Sequence, residues 1–341
     1  FSLDQQAGFG AMIGYFSHWA LPFVLGYALV DYASFRKVFW TYYGTFTVLV
    51  FVSVLAYFGL FFKDLGHDLY LVNEGLLKAL RSHIALASLC LLFSFLSAGQ
   101  ALFRENLPQK KRILFIALAL FFLAAIVLTG SRGYYIGTAA SYSLFALFWL
   151  IRTKQWSRLG AVACGLCAII VTLYIVSPAV RGRVHRTCPA DPNITERLSL
   201  YHVALWEISA KPLTGFGPGQ GIKQTQFFER LPENMRNVQR HPALHSFYLN
   251  FTADFGLVGT GIFLILLYFM FKDIWAVFRS GDNFTSAVAF GLFWGLIGIL
   301  FGEMFDTLLR GPGVAMEVFW LAGLLLRQYR ETLISKKELN T

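Results

Sequence analysis

Charged residues are scarce in this sequence. Only 14% of the 341 residues are Asp, Glu, Lys or Arg, whereas 56% are hydrophobic and 17% are aromatic. About a quarter of the residues of a soluble domain carry charge, so the composition excludes that class and favours a membrane protein. In such a protein the net charge of +10 bears on orientation, and we expect no nucleic-acid partner.

Motifs for metals and nucleotides are also missing. Cys164 and Cys167 have Cys-x-x-Cys spacing, but they lie in an apolar stretch where two small packing residues are the simpler interpretation. The glycine-spaced run 215–221 lacks the Lys-Ser/Thr pair of a phosphate-binding loop, and it is predicted to be a tight turn that permits close backbone approach. We therefore predict no metal site and no cofactor.

Long apolar runs are what the sequence has in abundance. Nine are long enough to cross a hydrocarbon core of about 30 Å as helices, and none alternates like a barrel strand. The sequence thus predicts an all-α, polytopic helical membrane protein. The predicted spans are 8–31, 38–62, 82–103, 112–129, 134–151, 159–178, 244–271, 285–305 and 312–327.

Lys and Arg clusters orient these spans. They occur at 36–37, 104–112, 152–158, 272–279 and 327–337, all on one side if the helices alternate, and the positive-inside rule makes that side cytoplasmic. Three regions follow: six transmembrane helices in 1–178, a large periplasmic loop with short helices in 179–243, and three transmembrane helices with a cytoplasmic tail in 244–341. With nine spans residue 1 starts outside, so we expect an odd number of upstream helices.

Two arginines stand where membrane or helix physics disfavours them. Arg132, in an outer connection, opposes the positive-inside bias and is either a snorkelling interfacial anchor or an anion ligand. Arg197 is predicted to open a short helix that ends before Pro212, where a cation faces the positive end of the helix dipole. A bound anion would compensate for that arrangement; the alternative is a solvated loop arginine.

His245 and Ser246 lie between a basic loop segment and the span at 244–271. The small residues Gly256 and Gly259 follow, and they are predicted to let a neighbouring helix pack closely. His245 is thus an interfacial imidazole, either structural or a proton acceptor.

Charged residues also gather at the outer end of the eighth span. Glu303, Asp306 and Arg310 occur there, and the spacing of Asp306 and Arg310 predicts an ion pair one helical turn apart. The alternative is that a carboxylate orients His245.

An outward site with arginines, an imidazole and no nucleotide loop fits a ligand that is anionic, lipid-anchored and already activated. A polyprenyl-diphosphate sugar has these properties, because arginines can neutralise the departing diphosphate while a neutral imidazole takes a proton from an acceptor hydroxyl.

Several segments resemble those of the bacterial O-antigen ligases, within the O-antigen ligase and polymerase superfamily. His245-Ser246, nine residues and Gly256-Leu-Val-Gly259 match a histidine–polar–x9–Gly-x-x-Gly pattern. Arg197-Leu-Ser-Leu-Tyr is similar to an Arg-x-x-x-hydrophobic element, and Ser131-Arg132-Gly133 and the segment 211–217 look like other shared segments. The resemblance is strongest over 130–262.

The resemblance implies a GT-C-like fold with twelve spans in the intact protein, nine of them here, in the bacterial inner membrane. It implies transfer of O-antigen from undecaprenyl diphosphate to lipid A–core at the periplasmic face, inverting and metal-independent. His245 would be the catalytic base and Arg132 and Arg197 the diphosphate ligands, supported by Ser246, Gly217 and Asp306. The alternatives are an O-antigen polymerase, a protein O-oligosaccharyltransferase and, from another class, a lipid-linked oligosaccharide transporter.

Overall fold

The computed structural model describes residues 5–60, 82–153, 192–233 and 244–338, with isolated positions between them at 72–73, 76–77, 160, 171, 174–175, 181–182 and 185. The regular elements of the described residues are helices and one minimal antiparallel hairpin of β1 (Val72–Asn73) and β2 (Leu76–Leu77). The predicted all-α class is therefore confirmed. The predicted span 159–178, with Cys164 and Cys167, lies outside the described residues apart from a few positions.

Eleven α-helices are found in these ranges. They are α1 (Gln5–Tyr15), α2 (Leu21–Leu29), α3 (Tyr32–Tyr57), α4 (His83–Phe103), α5 (Gln109–Thr129), α6 (Arg132–Thr153), α7 (Pro192–Ala210), α8 (Thr225–Phe228), α9 (Phe247–Ser280), α10 (Asn283–Gly302) and α11 (Pro312–Glu338). A π-helical turn, Phe16–Ala20, joins α1 to α2, and short 3-10 helices occupy Gly221–Lys223 and Leu308–Arg310.

Six of the helices described are long and apolar enough to cross a membrane: α3, α4, α5, α6, α9 and α10. They fall on six of the predicted spans, and the protein is a polytopic helical membrane protein. The predicted span 8–31 is occupied by α1, the π-helical turn and α2. The predicted span 312–327 is the first part of α11, which continues to Glu338 because the charged segment after residue 327 is also helical.

Helices α4 and α10 form the centre of the bundle, since most of their side chains are buried. Glycines on α10 allow this packing. A Cβ at Gly291 would lie 2.5 Å from the Cα of Leu96 on α4, and one at Gly302 would lie 2.6 Å from the ring of Tyr134 on α6. Small residues at such contacts let membrane helices approach each other closely. Helix α10 is thus held between α4 and α6.

The bundle has one end at which α4, α6, α9 and α11 begin and α5 and α10 end, and we call it the site end. A capping hydroxyl fixes the start of α4 there, because the Ser82 side chain accepts a hydrogen bond from the Ala85 N–H at 3.1 Å. Helix α7 joins this end through contacts with residues 304 and 305. The candidate site is built on these helix termini.

Candidate functional site

A cavity of about 320 Å³ opens at the site end between α4, the turn that joins α5 to α6, α7 and the segment after α10. Its apolar lining residues are Ile84, Ile136, Ile194, Leu198 and Phe305. Its polar lining residues are His83, Ser131, Arg132, Arg197, Tyr201 and Asp306. The structure therefore brings together Arg132, Arg197 and Asp306, which are far apart in the sequence.

Arg132 owes its position to a sharp turn between α5 and α6. Gly130 ends α5 with φ of 66°, a left-handed conformation that favours glycine, and Arg132 begins α6 two residues later. The hydroxyl of Thr129 accepts the Ser131 N–H at 3.3 Å and helps to fix the turn. Arg132 thus lies at the positive end of the α6 dipole, where an anion would be stabilised.

Arg197 is held against the segment that follows α10. Its Nη1 donates to the carbonyl oxygen of Phe305 at 2.5 Å, and its Nη2 lies 4.0 Å from Oδ2 of Asp306. The prediction that Arg197 opens its helix is wrong, because α7 already begins at Pro192 and Arg197 lies in its second turn. The helix-dipole argument for a bound anion therefore does not apply to Arg197, and the case for an anion site depends on the cavity.

The predicted ion pair between Asp306 and Arg310 is also wrong. The chain from residue 303 to 307 forms turns and irregular backbone, and Leu308–Arg310 is a short 3-10 helix, so α-helical spacing does not hold. Asp306 instead faces Arg197, whereas Arg310 places Nη2 3.9 Å from Oδ2 of the buried Asp254. Burial raises the pKa of Asp306 to about 6, although Arg197 opposes the shift.

Glu303 organises the turn that carries Asp306. Its buried carboxylate accepts hydrogen bonds from the Tyr134 hydroxyl at 3.1 Å and from the N–H groups of Leu308 and Leu309 at 3.2 and 3.0 Å. Burial raises the pKa of Glu303 to about 8, against the effect of these hydrogen bonds. The turn between α10 and α11 is thus tied to α6 from inside the bundle.

His245 has an unusual backbone conformation. With φ of 51° it is the one non-glycine residue with positive φ in the described ranges. Neighbouring contacts hold it there: the Tyr201 hydroxyl donates to the His245 carbonyl at 3.1 Å, and the Phe247 N–H donates to the carbonyl of Asp306 at 2.7 Å. Such conformations persist only where the surroundings enforce them, and they cluster at functional sites.

The His245 side chain is half-buried, and His245 is absent from the described residues that line the cavity. Tyr201 connects the two features, because it lines the cavity and its hydroxyl contacts the His245 backbone. The structure thus places His245 beside the arginine-containing cavity.

Ser246 and Gly217 are likewise absent from the described residues that line the cavity. Ser246 is buried as the N-cap of α9, where its side chain makes no capping hydrogen bond. Gly217 has φ of 102° and donates its N–H to the Asp254 carbonyl at 2.9 Å. Gly217 therefore attaches the glycine-rich loop to α9, in agreement with the predicted close backbone approach.

Gly256 interrupts α9 with φ of 68° and ψ of −175°. The loop carbonyls of Pro212 and Leu213 accept the N–H groups of Leu257 and Val258 at 2.7 and 3.3 Å. The prediction that this glycine packs against another helix is wrong, because a Cβ at Gly256 would lie 2.2 Å from the Leu213 carbonyl oxygen. The motif lets a loop enter the break in the helix.

Three residues of this region were missed by sequence reasoning. His83 and Tyr201 line the cavity, and Glu207 is a buried carboxyl on α7 near Asp254 whose pKa burial raises to about 9. The predicted span 82–103 begins next to His83, but the sequence gave no sign that this end of the helix faces Arg132. Within the described ranges no three His, Cys, Asp or Glu side chains form a group that could hold a metal ion.

Comparisons with known proteins agree with the motifs. Residues 116–264 match the family model described as O-antigen ligase. A segment of 128 residues is 26% identical to a Rickettsia bellii (strain RML369-C) protein named "Putative polysaccharide ligase". That segment is 35% of this chain and spans 30% of the relative's length.

The family match covers Arg132, Arg197, His245 and Gly256, the residues of the motifs from which the resemblance was predicted. The predicted resemblance is confirmed: over residues 116–264 the chain is similar to the O-antigen ligase family.

Proposed function

We propose that this protein transfers an O-antigen glycan from undecaprenyl diphosphate to a hydroxyl of lipid A–core, at the periplasmic face of the bacterial inner membrane. The observation that carries the proposal is the single cavity that contains both Arg132 and Arg197 beside His245. Its volume lies at the lower end of the range of about 300–1,000 Å³ that is usual for small-molecule sites.

The apolar and the polar lining residues suit the two parts of such a donor. The isoleucines, Leu198 and Phe305 offer an apolar surface to the first isoprenoid units, and the guanidinium groups of Arg132 and Arg197 offer positive charge to the diphosphate. Arginines placed where negative charge develops lower the barrier to departure of the diphosphate. No nucleotide is needed, because the glycosyl–phosphate bond is already activated.

His245 is proposed to act as the base. The acceptor hydroxyl oxygen attacks the anomeric carbon, its proton passes to the imidazole, and the bond between that carbon and the diphosphate oxygen breaks with its electron pair on the leaving group. A direct displacement of this kind inverts the anomeric centre. An imidazole suits the role because it is substantially neutral near pH 7.

Asp306, Ser246 and Gly217 are proposed to support this arrangement. Asp306 faces the Arg197 guanidinium, Ser246 begins the helix that follows His245, and Gly217 attaches the glycine-rich loop to the same helix. These residues would position the groups that contact substrate.

The test is transfer from purified undecaprenyl-diphosphate-linked O-antigen to lipid A–core, without nucleotide and with a chelator present. We expect activity from the wild-type protein and from His202→Ala, whose exposed imidazole on α7 lies outside the described cavity wall. We expect at least a hundredfold loss from His245→Ala if general base catalysis is removed. Full activity of folded His245→Ala would refute the base assignment, and loss of activity on chelation would refute the metal-independent mechanism.

Other activities would give different products in the same assay. Lengthening of the donor glycan without use of lipid A–core would identify a polymerase, and transfer to a protein serine would identify a protein O-oligosaccharyltransferase. Movement of the intact donor across vesicles without a new glycosidic bond would identify a transporter.

A further inference from the structure

We propose that His83 is a third ligand of the donor diphosphate, so that the anion is bound from α4 as well as from α6 and α7. His83 lines the same cavity as Arg132 and Arg197. The inference rests on the proposed function, because it takes the diphosphate as the anion that enters this cavity.

The position of His83 is fixed by the most buried part of the molecule. It is the first residue of α4, and every residue of α4 from Ala85 to Ser97 is buried. The hydrogen bond between Ser82 and Ala85 caps this helix at the same end. A side chain at the rigid start of a central helix loses little further freedom when it binds a ligand.

Two helix dipoles point their positive ends at this cavity. His83 and Ile84 are the first residues of the 21-residue helix α4, and Arg132 and Gly133 are the first residues of the 22-residue helix α6. All four residues line the cavity. Helix N-termini stabilise anions through the helix dipole and through their backbone N–H groups, and here two of them act on one cavity that also contains two arginines.

The charge balance in the cavity favours a third ligand. The charged and titratable side chains that line the cavity with His83 are Arg132, Arg197, Asp306 and Tyr201. Burial raises the pKa of the Tyr201 phenol, which therefore stays neutral, and an ionised Asp306 offsets one arginine.

The donor carries one negative charge on each phosphate and gains a further charge when its glycosyl bond breaks. The arginines do not match that increase, whereas an imidazole can donate a hydrogen bond and can also take up a proton. His83 should therefore contribute more to binding of the released polyprenyl diphosphate than to binding of a polyprenyl monophosphate.

The experiment measures binding of undecaprenyl diphosphate and of undecaprenyl monophosphate to the full chain in detergent. For His83→Ala we expect roughly 10- to 100-fold weaker binding of the diphosphate, the usual range for loss of a hydrogen bond to a charged group, and a smaller change for the monophosphate. His83→Arg should restore most of the diphosphate affinity because it retains a cationic donor, and His202→Ala should bind like the wild-type protein.

Outcomes separate the two proposals. Undiminished diphosphate binding by His83→Ala, alongside weakened binding by Arg132→Ala, would overturn the role of His83 and leave the proposed function intact. Equal losses for the diphosphate and the monophosphate, or no recovery in folded His83→Arg, would also overturn it by indicating a structural residue. Failure of the wild-type protein to bind undecaprenyl diphosphate would overturn both.

Discussion

Replacement of Asp306 by Asn should stabilise the protein at neutral pH. Burial raises the pKa of this carboxyl from 3.8 to about 6 even though Arg197 lies 4.0 Å away, so the ionised form is less stable in the folded chain than in water. Each pKa unit corresponds to about 1.4 kcal/mol, and the charge of Asp306 at pH 7 therefore costs about 3 kcal/mol of folding free energy. Asparagine has nearly the same shape and removes that charge.

The pH dependence has a definite sign. Below about pH 4 the carboxyl is protonated in both the folded and unfolded chains, and Asp306→Asn should have the stability of the wild-type protein. Between about pH 4 and 6 the Asp306 carboxyl is ionised in the unfolded chain but still protonated in the folded chain. Wild-type stability therefore falls over this range, whereas the stability of the variant does not change for this reason. The advantage of the variant should then be constant above about pH 7.

Thermal unfolding in detergent, followed by tryptophan fluorescence from pH 4 to 7.5, measures this difference. The control is Asp273→Asn, which makes the same chemical change at the opposite end of α9. An advantage of Asp306→Asn that is the same at pH 4 and pH 7 would refute the reasoning, as would a loss of stability at pH 7. A costly carboxylate beside Arg197 is expected where function rather than stability selects the residue.

Other predictions concern the surroundings of the site. Gly256→Ala should destabilise the protein by about 2 kcal/mol or more in thermal unfolding, because its φ is positive and the added Cβ would clash with loop backbone. Gly261→Ala is the control and should be neutral or stabilising, because no atom lies within 4 Å of the added Cβ. Glu207→Gln should match wild-type stability below about pH 4.5, and between about pH 5 and 9 wild-type stability should fall relative to this variant, because burial raises the pKa of Glu207 from 4.5 to about 9; parallel pH curves would contradict this. Tyr201→Phe should lower the free energy of unfolding by about 1–3 kcal/mol, because the Tyr201 hydroxyl donates to the carbonyls of His245 and Met304, and it should reduce glycan transfer. Unchanged unfolding and turnover would exclude a role of Tyr201 in holding His245.

Sequence patterns predicted the membrane helices and selected two arginines as candidate site residues. Long apolar runs predicted the membrane helices because the length of a span is set by bilayer thickness. Arg132 and Arg197 were selected because a cation at each position opposes the expected charge pattern, and the structure places them in one cavity. The reason given for Arg197 was nevertheless wrong, since the start of its helix was predicted five residues too late.

Contacts between distant elements could not be predicted in this way. The spacing of Asp306 and Arg310 suits a helical ion pair, but each side chain pairs with a residue on another element because the chain between them is not α-helical. His83 is more than 40 residues from Arg132, and only the packing of α4 against its neighbours brings them to the same cavity. The pattern of Gly256 and Gly259 suits a helix-packing motif as well as it suits a helix break, and the sequence does not distinguish the two.

The break at Gly256 divides α9 into a short segment next to His245 and a longer segment that can span the membrane. Helix α9 has 34 residues, which at about 1.5 Å per residue exceeds the roughly 30 Å of a hydrocarbon core by about 20 Å. Residues 257–280 alone are long enough to span it, and the segment 247–255 beyond the break is bonded to the turn after α10, while the glycine-rich loop binds at the break itself. We therefore expect tilting of the spanning part in bilayers of different thickness to be absorbed at the break, so that the distance between His245 and the arginines changes little.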